Sequence, residues 1–67
     1  MSYKLKFPKS MTLHSVIEEA TAVGKLLDVN CVYQYRGVSV LCWRNASVEA
    51  NRRVWQADKD WQGHDND

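Results

Sequence analysis

No stretch of this chain approaches the roughly 20 consecutive apolar residues that a membrane helix needs. Its amino terminus, MSYKLKFPKS, also has no apolar run of the kind a secretory leader carries. The expected protein is soluble and cytoplasmic, with no membrane partner. Cysteine is scarce: Cys31 and Cys42 are the whole set, too thin a framework for a secreted mini-domain, which at this size usually carries about four or more. Reduced thiols are therefore expected. Proline occurs only at Pro8, and glycine only at Gly24, Gly37 and Gly63, so no flexible linker and no low-complexity segment is present. Charge of one sign is lacking as well. The formal net charge is +1, far from the strongly basic footprint of a typical nucleic-acid binder.

What the chain does contain is apolar. Hydrophobic residues make up 45% of its 67 positions, and three of its seven aromatic residues are tryptophan. That is the composition of a folded protein. A domain this small buries only about 60% of the surface its unfolded chain exposes, so its stability is expected to be marginal. The charges are unevenly spread: residues 1–57 hold eight of the nine Lys/Arg and four of the eight acids, whereas residues 58–67 hold Lys59 against Asp58, Asp60, Asp65 and Asp67. Residues 1–62 are expected to form a single domain, with 63–67 as a flexible acidic tail.

Alternation of Tyr3, Leu5 and Phe7 with Lys4 and Lys6 is the period of a half-buried strand, ended by Pro8. Ser10 or Thr12 can cap a helix whose apolar face gathers Leu13, Val16, Ile17, Ala20, Gly24 and Leu27. Glycine in the middle of such a face costs about 1 kcal/mol relative to alanine, which predicts a close approach of the helix to whatever lies beneath Gly24.

Residues 29–44, VNCVYQYRGVSVLCWR, are rich in β-branched and aromatic types, interrupted by Arg36-Gly37, and predict a β-hairpin. A two-residue type I′ loop would force Arg36 to positive φ, whereas a type I turn followed by left-handed Gly37 suits the order Arg-Gly. The three-residue loop sets Gln34 opposite Val38, Val32 opposite Val40 and Cys31 opposite Leu41. It also predicts that Val29, Cys31, Tyr33, Leu41 and Trp43 face the core, with Val32, Val38, Val40 and Cys42 outside. The two cysteines then fall on opposite faces, where no bridge between them can form. Asn45 or Ser47 can cap a last helix, roughly 47–61.

The expected fold is α+β in the order β-α-β-β-α: two layers, a small three-stranded antiparallel or mixed sheet with two helices on one face.

Catalytic chemistry finds little support. His14, His64, Cys31 and Cys42 are the candidate zinc ligands, but Cys-x10-Cys is not a zinc-knuckle spacing. A Cys/His nucleophilic pair needs an orienting group, an oxyanion hole and a cleft. Glu18 and Glu19 are adjacent on a helix, so their side chains diverge. No enzyme, metal, cofactor or small-molecule substrate is expected.

The last helix carries the main functional signal. Ala50, Val54, Ala57 and Trp61 form one apolar stripe, expected to be core, while Val48 and Trp55 lie on another side with Arg52 and Lys59. Trp and Arg are enriched at interface hot spots. Trp55, Val48, Arg52 and Lys59, with Val38 and Val40 on the sheet, are the expected partner-binding residues. The expected function is a small regulator or inhibitor that binds a protein partner or a second copy, the latter making a homodimer. The alternative is a weakly basic nucleic-acid binder using Lys4, Lys6, Arg44, Arg52 and Arg53.

Overall fold

A computed structural model describes residues 2–65 of the chain. The elements run β1 (Ser2–Lys6), α1 (Leu13–Leu27), β2 (Asn30–Tyr35), β3 (Val38–Cys42) and α2 (Val48–Asp65). The strands form one mixed sheet in the order β1-β2-β3, with β1 parallel to β2 and β2 antiparallel to β3. α1 packs on β2 and β3, and α2 packs on β3 and on α1. The β-α-β-β-α order and the two-layer arrangement are as expected. No described helix is long and apolar enough to cross a membrane.

Local chemistry explains where the helices begin and end. Thr12 caps α1, its Oγ1 accepting from the Ser15 N–H at 3.2 Å, and Ser47 Oγ accepts from the Ala50 N–H at 3.1 Å at the start of α2. α1 ends on Asp28 in the left-handed region, φ 55° and ψ 44°. Gly24 is buried as expected: an added Cβ would stand 3.0 Å from the Val29 carbonyl oxygen and 3.6 Å from Arg44 Cα. α2 continues to Asp65, past the expected end near residue 61. No glycine or proline interrupts it before Gly63, and Gln56 donates to Asp60 one turn on at 3.0 Å. Of the expected 63–67 tail, residues 66 and 67 lie outside the described residues.

The hairpin differs from expectation, and the difference reassigns every side chain on β3. Both Arg36 (φ 51°) and Gly37 (φ 80°) are left-handed, so the loop has two residues rather than three. The observed partners are Tyr35↔Val38, Gln34↔Ser39, Tyr33↔Val40, Val32↔Leu41 and Cys31↔Cys42. A shift of one residue moves a strand's side chains to the other face. Val38, Val40 and Cys42 therefore turn inward with Cys31, Tyr33 and Tyr35, while Ser39 and Leu41 turn outward. By the same alternation Trp43 falls outside and is 47% exposed.

Left-handed Arg36 carries a cost of about 1 kcal/mol or more, and several features offset it. A two-residue loop with both central residues left-handed matches the strand twist. The Arg36 guanidinium lies 5.0 Å over the Tyr35 ring, and the Tyr35 hydroxyl donates to the Met11 carbonyl. Small inward residues also let the helices sit close. The Thr21 hydroxyl approaches Cys42 Sγ to 3.6 Å, a contact that an inward Trp43 would prevent. Gly37→Val should cost roughly 1 to 2 kcal/mol by urea unfolding. That cost is backbone strain at positive φ, and the added Cβ itself meets nothing within 4 Å. An unchanged midpoint would contradict the positive φ.

The core consists of Val16, Ile17, Ala20, Cys31, Tyr33, Tyr35, Val40, Cys42 and Trp55, with Leu5, Phe7, Met11, Leu13, Val23, Val38, Val48 and Val54 packed against it. This reverses the expected phase of α2. Trp55 is 6% exposed and Trp61 66% exposed. The inward line runs through Asn51, whose polarity hid it from an apolar count. Asn51 is 1% exposed and fully engaged. Its Oδ1 accepts from the Trp43 N–H at 2.9 Å, and its Nδ2 donates to the Trp43 carbonyl at 3.2 Å and to Thr21 Oγ1 at 3.1 Å. One amide thus joins the end of β3, α1 and α2.

Candidate interaction surface

Both helices lie on one side of the sheet, and no described element covers the other. Three rows cross that outer face. Lys4, Val32 and Leu41 form one row, and Lys6, Gln34 and Ser39 the next. Ser2 and Asn30 open a third row, which Trp43 completes by continuing the β2–β3 register. Lys4 and Lys6 are exposed, Val32 and Leu41 half-buried, and Trp43 about half exposed.

Charge on this face is of one sign. No strand contains Asp or Glu. The described acids stand on the helices and at Asp28, so neither Lys4 nor Lys6 meets a carboxylate in an ion pair among the described residues. The result is a shallow apolar and amide strip with ammonium groups along the β1 side. Arg36 and Lys9 line an adjoining depression at the hairpin tip with Gly37.

The expected partner-binding set does not form one surface. Trp55 and Val40 are core, 6% and 2% exposed, which overturns their assignment to an exposed face. Val38 is half-buried on the core side, not the outer side. Arg52 and Val48 line an open groove beside α1 together with His14, Glu49, Arg53 and Gln56. Lys59 reaches back over the Trp55 ring, its Nζ 5.3 Å from the centroid.

The alternative set is divided as well. Lys4 and Lys6 share the outer sheet face, but Arg52 and Arg53 stand on the helical layer behind it. Arg53 pairs with Glu49 at 3.1 Å, and Arg44 Nε pairs with Asp28 at 3.3 Å.

His14 Nε2 lies 3.4 Å from Glu18, both exposed. Among the described residues no three His, Cys, Asp or Glu side chains gather to hold a metal ion; the His64 side chain lies outside them. Burial raises the pKa of both cysteine thiols, with the Thr21 hydrogen bond opposing the rise at Cys42. Burial also raises that of the Tyr33 hydroxyl.

No protein family, curated protein or solved structure matches this chain. The outer sheet face is thus described by its own chemistry. Trp43 and Leu41 are its residues that sequence reasoning missed. The signal for them was present in Arg36-Gly37, read as a two-residue loop.

Proposed function

We propose that the protein is a small, non-enzymatic interaction module of the cytoplasm, acting as a regulator or inhibitor by binding an acidic partner protein across the outer face of its sheet. The observation that carries this reading is the pairing of exposed, unneutralised Lys4 and Lys6 with the apolar side chains of Val32, Leu41 and Trp43 on a face without carboxylates. Lysines at the rim favour encounter with an acidic surface, while a tryptophan beside aliphatic groups supplies contact area. Two copies packed face to face would bring four lysines together, so a different chain fits this face better than a second copy does.

A second reading rests on the position of Trp43. An aromatic side chain beside basic residues on an open sheet is also the arrangement on which single-stranded nucleic acid stacks. With one aromatic and two lysines, no sub-micromolar binding to generic DNA or RNA is expected at physiological salt. Immobilised full-length protein, probed with cell extract, separates the readings. Capture of a protein should be lost with Lys4→Glu/Lys6→Glu and with Trp43→Ala, yet survive Arg52→Ala/Arg53→Ala and nuclease treatment. Capture indifferent to the sheet-face changes would reject the outer face. Capture abolished by nuclease, with affinity falling steeply as salt rises, would install nucleic acid as the ligand.

A further inference from the structure

We infer that Cys31 and Cys42 form a reversible cross-strand disulfide, a redox-sensitive clasp across the β2–β3 hairpin. The two residues are direct partners in the antiparallel register and both side chains point into the core. Tyr35 and Val38 flank the two-residue loop as a hydrogen-bonded pair, and counting inward by twos makes Cys31↔Cys42 a hydrogen-bonded pair too. Such partners have Cα atoms about 5.5 Å apart, inside the span of roughly 4.4 to 6.8 Å that disulfides occupy. Neither strand has to slide or turn for the bond to form.

Cβ atoms of directly opposed residues stand about 4.5 to 5.5 Å apart, whereas a disulfide draws them to about 3.5 to 4.5 Å. The bridge therefore pulls the strands slightly together. That strain makes it easier to reduce than a relaxed structural disulfide, which suits a switch more than a permanent staple.

The position within the fold gives the bond something to act on. Cys42 Sγ lies 3.6 Å from Thr21 Oγ1, and Thr21 in turn receives the Asn51 amide at 3.1 Å. Turning Cys42 toward Cys31 removes that sulfur from Thr21, so oxidation reaches the polar contact that holds both helices to the sheet. Trp43 of the outer face is the next residue along the chain.

The oxidant is a small-molecule disulfide such as oxidised glutathione. One cysteine thiolate attacks it, forming a mixed disulfide and releasing one glutathione thiolate. The second cysteine, deprotonated in its turn, attacks the protein-bound sulfur and expels the other glutathione thiolate. Two protons and two electrons leave the cysteine pair, and two reduced glutathione molecules result. Both sulfurs are buried and their pKa is raised, so exchange passes through an opened form of the domain.

Refolding the full-length chain from urea in a buffer of oxidised and reduced glutathione removes access as a limit. Intact mass after alkylation, peptide mapping and thermal unfolding then read the outcome. Expected are a monomer lacking two hydrogens, a Cys31–Cys42 linked peptide pair, and a Tm several degrees above that of the reduced protein. Dithiothreitol should restore the original Tm. Cys31→Ala and Cys42→Ala, each checked for folding by circular dichroism, should lose the oxidative shift and retain a glutathione adduct instead. Free thiols, disulfide-linked dimers or stable double adducts in the parent protein would overturn the inference, as would an oxidised monomer less stable than the reduced one.

Discussion

Trp55→Ala is expected to cost about 3 to 5 kcal/mol of stability, enough to unfold much of a domain whose total is on the order of 0.05 to 0.15 kcal/mol per residue. Trp61→Ala should leave the unfolding midpoint almost unchanged. The contrast follows from burial: Trp55 is 6% exposed in the core cluster, Trp61 66% exposed. Urea unfolding followed by far-ultraviolet circular dichroism is the suitable measurement, because tryptophan fluorescence would change with the substitution itself. The reverse outcome, with Trp61 essential and Trp55 dispensable, would mean that α2 is rotated about its axis. Trp55 Nε1 is buried without a hydrogen-bond partner among the described residues. Trp55→Phe should therefore be far milder than alanine, since it removes an unsatisfied donor along with some contact area.

Asn51→Leu should destabilise the protein by about 2 to 5 kcal/mol, although leucine is the better match to an apolar stripe at that position. The substitution would leave the Trp43 N–H without the acceptor it now has at 2.9 Å, while the Trp43 carbonyl would lose one of two donors, keeping the Ala46 N–H at 3.2 Å, and the Thr21 hydroxyl would lose its donor at 3.1 Å but keep Cys42 Sγ at 3.6 Å. Each buried group left unpaired costs roughly 1 to 3 kcal/mol. Asn51→Ala should cost at least as much, adding lost packing to lost hydrogen bonds. Urea unfolding again measures both. A more stable Asn51→Leu variant would show that packing dominates at this site and that the amide is dispensable.

Much of the fold was legible in local patterns, and the failures share a cause. Thr12 and Ser47 announced helix starts because side-chain oxygens there satisfy free N–H groups. Gly24 announced a close approach because nothing else explains glycine on an apolar helix face. The β2 alternation was legible too, with Cys31 and Tyr33 inward and Val32 and Gln34 outward. Arg36 and Asn51 each broke a local rule for a tertiary reason. Left-handed arginine is unfavourable by itself, and only the twist of the assembled strands and the Tyr35 contact outweigh that. Buried asparagine is unfavourable by itself, and only the end of β3 and the Thr21 hydroxyl on α1 supply its partners. The first misled the register and hence the membership of the outer face; the second misled the phase of α2 and hence the roles of Trp55 and Trp61. The partner-binding set inherited both errors, which is why Val40 and Trp55 fall in the core.

The parallel pairing of β1 carries a consequence for motion. β1 joins the sheet along β2 alone, with four of its five residues exposed, while β2 and β3 are tied by a tight hairpin and gripped by the helices. A strand docked after a helical crossover closes late and opens first, ahead of the hairpin, so its amides should exchange with solvent fastest among the strands. That strand carries Lys4 and Lys6. A ligand that spans these lysines and Trp43 would latch β1 onto the rest of the domain, so part of its binding energy would go into ordering the edge of the sheet. Affinity for that face and the local stability of the amino-terminal strand are two readings of the same equilibrium.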